Sequence, residues 1–149
     1  MKERLEGSES ELERLENKTE QVEEHLAEIA KAIEAIRSAM SRLESKGDQE
    51  VSAKFRSSLA KKQQEKAQEE RQAADLARQI TNVSKDLSDV MHANRDSRTE
   101  IAVLERLGED TGEARSIIDA REQKATQLDR QCQDLRQRLN RLCNKRDWG

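Results

Sequence analysis

Proline and tyrosine are absent from the 149 residues, and there are only five glycines, one phenylalanine (Phe55) and one tryptophan (Trp148). Without proline nothing forbids long, uninterrupted helices. Aromatic bulk is missing, and leucine, isoleucine, valine and phenylalanine together make up only 27 residues. That is too little to fill a roughly spherical core at this length. No apolar run approaches the ~20 residues of a membrane span, nor the apolar segment of a secretion signal. We therefore expect a cytoplasmic protein without a membrane span. A large net charge is also missing, since 28 basic residues nearly balance 31 acidic ones. A disordered chain of this low apolar content would carry a larger imbalance. A long, thin helical object with a narrow apolar stripe is what these absences leave.

The residues of catalysis are scarce too. His25 stands in Glu24-His25-Leu26-Ala27-Glu28 without the second histidine of a zinc protease helix, and His92 has no cysteine or histidine within a turn. Cys132 and Cys143 are eleven residues apart on one helical pattern, which is neither a zinc spacing nor disulfide reach within one helix. Gly108 and Gly112 lack the lysine and hydroxyl residue of a phosphate loop. The expectation is no enzyme, no metal and no cofactor.

What is present is heptad order, in three segments punctuated by glycine. In the first, Leu5, Leu12, Leu26, Ile33 and Met40 recur at one heptad position, and Leu15, Val22, Ile29, Ile36 and Leu43 at another, with Thr19 and Ser8 as polar members. Gly47 suits the left-handed residue that ends a helix, and Asp48 can cap the next. The second segment carries Ala73, Leu76, Ile80, Val83, Leu87, Val90, Asn94, Ser97, Ile101 and Leu104. Its earlier half is polar on that seam, with Lys62, Lys66 and Glu69, while Ala53, Ala60, Ala67 and Ala74 repeat every seven residues. Those alanines suggest a close helix approach. Gly108 ends this segment, and Asp110 with Glu113 reads as a capping box for the third. Ser8 with Glu11 has the same pattern near the start. The third stripe includes Ile118, Ala125, Leu128, Cys132, Leu135, Leu139 and Leu142.

The pattern predicts an all-α fold: an elongated antiparallel coiled coil or three-helix bundle with one long central helix. A single domain, 1–149, carries helices over about 9–46, 49–107 and 111–146. The central helix is expected to run on through Asn94-Arg95-Asp96-Ser97, with overlap of all three helices confined to about residues 73–87. On that geometry the ends of the apolar seams are incompletely covered. Leu12, Leu15, Val22, Leu26, Ile29, Leu128, Leu135, Leu139 and Leu142 become the expected face for a partner helix. Asn94, at a core heptad position, is the candidate for setting register and partner choice.

Charge is distributed unevenly. Glu9, Glu11, Glu13, Glu16, Glu20, Glu23 and Glu24 crowd the first segment, and Arg136, Arg138, Arg141, Lys145 and Arg146 the end of the third. Helix dipoles favour this arrangement, and the two clusters are expected to lie far apart within one chain. The functional expectation is a non-catalytic scaffold, adaptor or assembly subunit that works by helix–helix association, as a homo-oligomer or in a hetero-complex. Such chains resemble, in class only, small coiled-coil components of secretion, export or membrane-tethering machines. A third reading is nucleic-acid binding through the basic patch, which the acidic balance and missing stacking aromatics disfavour.

Overall fold

A computed structural model describes residues 2–143. Four helices account for nearly all of them: α1 Lys2–Ser45, α2 Gln49–Lys54, α3 Arg56–Arg106 and α4 Gly112–Cys143. At Phe55, between α2 and α3, the backbone keeps near-helical angles (φ −90°, ψ −6°). The two are therefore one long helix with a bend, and the architecture is an all-α bundle of three helical rods.

Both turns are built the same way. Gly47 and Gly108 take φ of 81° and 84°, a region where a Cβ is strained. Around each, two carbonyls left over by the helix end are satisfied. Asp48 N–H reaches Leu43 O at 2.9 Å and Gly47 N–H reaches Glu44 O at 3.0 Å. Glu109 N–H likewise donates to Leu104 O, and Gly108 N–H to Glu105 O. The Asp48 carboxylate then accepts from Val51 N–H at 3.2 Å and caps α2. At the second turn the capping differs by one residue from expectation. Asp110 Oδ1 accepts from Gly112 N–H at 3.1 Å, and the α4 ladder opens with Arg115 N–H on Thr111 O.

Polar contacts between rods give their register. Arg4 meets Asp89, Arg14 Nη2 donates to Gln79 Oε1 at 2.9 Å, and His25 Nδ1 lies 3.4 Å from Glu69. Residue numbers that rise on α1 fall on α3, so these helices are antiparallel. Lys124 pairs with Glu9 and Arg138 with Glu23, so α1 and α4 run parallel, 115 residues apart in number. Ser84 to Asp129 and Arg98 to Asp119 fix α3 against α4, again antiparallel.

The centre of the rod is therefore three helices thick. One continuous core holds Leu5, Leu12, Leu15, Val22 and Leu26 from α1. Ala73, Leu76, Ile80, Val83, Leu87 and Val90 join them from α3, and Ala125, Leu128, Cys132, Leu135 and Leu139 from α4. Beyond it at each end, two helices continue among the described residues. One end is the hairpin of α1 from about residue 29 with α2 and the start of α3. The other is the hairpin of α3 from about residue 92 with the start of α4. The accessible surface, 10299 Å², exceeds the roughly 7,800 Å² of a compact monomer of 17.1 kDa, as an elongated rod requires.

Three expectations need correction. Helix one begins at Lys2, not near residue 9: Ser8 is buried inside it and caps nothing, because Leu5 already occupies the core. The triple overlap is longer than 73–87, because α4 reaches back to the level of Glu70, where Cys143 Sγ lies 3.6 Å from the Glu70 carbonyl oxygen. Ala53, Ala60 and Ala74 are exposed. The seam there keeps its heptad positions and fills them with half-buried Leu59, Lys62, Lys66 and Glu69, the two lysines covering apolar surface with their stems while one Glu69 carboxylate oxygen is buried. The α4 boundary is Cys143 among described residues, and 144–146 lie outside them. The central helix does pass unbroken through Asn94–Ser97.

Candidate functional site

The apolar residues expected to receive a partner helix are occupied from within. Leu12, Leu15, Val22, Leu26, Leu128, Leu135 and Leu139 are buried in the three-helix core, Ile29 is buried just beyond it, and Leu142 packs against it half-buried. The expectation that these seams are left open is overturned by the parallel register of α1 and α4, which lays each against the other over about four heptads. No second chain is needed to cover them.

The charged clusters are neighbours, not opposite poles. The 115-residue offset sets Arg138 beside Glu23, with Glu16 and Glu20 close enough to reinforce it, and the Glu23 carboxylate raises the Arg138 pKa through a hydrogen bond. Arg136 is exposed on the same helix, as is Arg141. Lys145 and Arg146 lie outside the described residues. A basic surface already faced by carboxylates is a poor competitor for phosphate.

Asn94 is 2% exposed. Neither its Oδ1 nor its Nδ2 has a hydrogen-bond partner among the described residues. It follows Val90 on the stripe, at the level where α1 has come to its first residue. A buried amide without partners is costly to stability.

Burial shifts both thiols away from the thiolate form. Burial pushes the Cys132 thiol up to about 11, with Asp129 adding to the effect, and burial likewise raises Cys143. Cys132 is fully buried and unavailable for a bridge between chains. No group of three or more histidine, cysteine or acidic side chains suited to a metal ion occurs among the described residues. No helix among them is long and apolar enough to cross a membrane.

Exposed apolar side chains collect instead at the two-helix ends. At the Gly108 end these are Val103 and Leu104 (44% each), Leu107 (72%) and Ile117 (52%). Ile117 borders two open grooves, one shared with Leu5 and Ala120 between α1 and α4, the other with Ile101 and Ala114 between α3 and α4. At the Gly47 end, Val51 and Phe55 are exposed one turn apart, above half-buried Ile36, Met40 and Leu43. The heptad pattern placed Leu104, Ile36, Met40 and Leu43 on the seams but not Val103, Leu107 or Ile117, which fall beside them. The signal that finds them is register: how far each rod outruns its neighbours.

The Gly108 end is held firmly. Arg115 donates to both Glu105 oxygens and Thr111 Oγ1 donates to Glu105 Oε1 at 2.6 Å. Hydrogen bonds from Arg115 first and Thr111 second lower the Glu105 pKa to about 2. Arg98 bridges to Asp119 and Glu122 one step below. The exposed apolar patch thus sits on a braced hairpin. No protein family, no curated protein and no solved structure matches the chain.

Proposed function

We propose that this chain is a non-catalytic scaffold or assembly subunit, a rigid rod that associates through helical surface at its two ends. The observation that carries the reading is the contrast along the rod. The middle buries its own apolar seam, while each end leaves large apolar side chains exposed to water. Covering Val103, Leu104, Leu107 and Ile117 with another helix removes apolar area from water at ~0.025 kcal/mol per Å². Flanking charges then select the partner.

The test is site-specific photo-crosslinking from Leu107 and from Arg130, an exposed position on the middle of α4. Defined adducts from Leu107, absent from Arg130 and lost on Val103→Ser with Ile117→Ser, are the expected result. Equal or absent labelling at both positions would overturn the proposal.

A further inference from the structure

We propose that the partner of each end is the opposite end of a second copy of this chain, so that rods join head to tail. This rests on the association proposed above and names its occupant. Three features of the two ends fit one another.

The first is length. Among the described residues, α1 continues past the last residue of α4 over 29–45, and α3 continues past the first residue of α1 over 92–106. At ~1.5 Å per residue these are ~25 and ~22 Å, equal to within one helical turn. Laid side by side, two helices from each copy make a four-helix joint that spans one overhang.

The second is charge. Residues 29–66 hold nine basic and five acidic side chains, and residues 92–116 hold four basic and six acidic. One end of the rod is therefore positive and the other negative. Like ends repel and unlike ends attract, which opposes a two-fold dimer through either tip and favours the head-to-tail arrangement.

The third is the apolar patch on each end. Leu104 and Leu107 lie within one helical turn on one tip, and Val51 and Phe55 do so on the other. A face about 22 Å long and two helices (~20 Å) wide on each partner gives roughly 900 Å² in total. That lies below the ~1,200 Å² of stable interfaces and among weak, transient ones, so the association is expected at micromolar concentration and above. Because the two surfaces differ, the contact does not close on itself at two copies. It continues into a filament or a ring.

The experiment is sedimentation equilibrium of the full chain at 1–200 μM, in 50 and 500 mM salt. The weight-average mass of the wild type is expected to rise above 17.1 kDa with concentration, with association ~10-fold weaker at high salt. Two variants separate the arrangements: Leu104→Ser with Leu107→Ser, and Val51→Ser with Phe55→Ser. Each alone is expected to stay monomeric, because neither keeps a matched pair of ends. Mixed one to one, they restore a single intact joint and stop at a heterodimer. A variant that dimerises alone refutes the head-to-tail contact, as does a wild type monomeric throughout.

Exposed-surface reversal, Glu100→Lys with Glu109→Lys, leaves every apolar contact in place and is expected to abolish association at 50 mM salt. Retained association there would refute the role of charge. Circular dichroism at 222 nm confirms that each variant is folded. A monomeric wild type that still gives Leu107 adducts with another protein defeats this inference alone; loss of both signals defeats the proposed function as well.

Discussion

Asn94 offers the sharpest measure of the packing argument. Its side chain is 2% exposed with both polar atoms unpartnered. Burying an amide without hydrogen bonds costs about 1–3 kcal/mol by mutational data. Asn94→Leu removes that penalty and adds the transfer of an apolar side chain, about 1.5–3 kcal/mol for full burial. Misfit of the branched side chain takes back about 1–3 kcal/mol. The net expectation is a gain of about 2 kcal/mol. For a chain of this size that raises Tm by about 4–8 °C. Urea unfolding followed at 222 nm is the assay. The midpoint should move up with the slope unchanged, since the same surface is exposed on unfolding. A midpoint that stays or falls would refute the reasoning, because it would mean that the amide is satisfied in solution, by a trapped water for instance. If the asparagine also fixes register, the leucine variant should gain stability while losing uniqueness, seen as a broader mass distribution in sedimentation.

Two further outcomes follow from burial and ionisation. Leu128→Ala, in the three-helix core, is expected to cost about 2–5 kcal/mol, while Ile36→Ala, half-buried in the Gly47 hairpin, costs about 1 kcal/mol; equal losses in urea unfolding would contradict a stability concentrated at the centre. Glu105, held at about 2 in the fold against an ordinary 4.5, contributes stability that is fully present above about pH 5 and is lost as pH falls through 4.5 toward 2. The Tm gap between wild type and Glu105→Gln should therefore close across that window, and a gap that is constant or widens toward pH 2 would show that Arg115 and Thr111 do not hold the carboxylate.

Much of the fold could be read from single residues. Gly47 and Gly108 announced both turns, and the seam from Ala73 to Ile101 announced the long helix, because a helix end and a heptad stripe are local properties. Register was not legible. Nothing in a stripe of leucines says which leucine it meets on another rod. That choice is set by pairs such as Lys124 with Glu9 and Arg138 with Glu23, which lie 115 residues apart. The candidate site suffered most from this. Leu12 and Leu139 looked available because their partners could not be counted, and Leu107 and Ile117 looked incidental because they sit off the stripe. The alanine repeat misled for a related reason: small residues permit close approach but do not attract, and Leu59 and the stems of Lys62 and Lys66 bury more apolar area than Ala60 can.

The same register predicts that folding is separable from the proposed association at the tips. A three-helix centre with an unbroken apolar cluster buries its own seam, so its stability does not depend on the tips. The tips are two-helix hairpins, and a pair of helices can bury only the stripe each turns toward the other. The remaining apolar arc is left in water whatever residues flank it. Replacing Leu107 by serine therefore removes little that the monomer uses, whereas replacing Leu128 removes packing on which the fold relies. If the centre were instead only marginally stable, tip variants would melt the rod along with its association. Single-tip serine variants that keep the wild-type urea midpoint while losing mass in sedimentation would place binding and folding in different parts of the chain. A parallel fall in both would merge them.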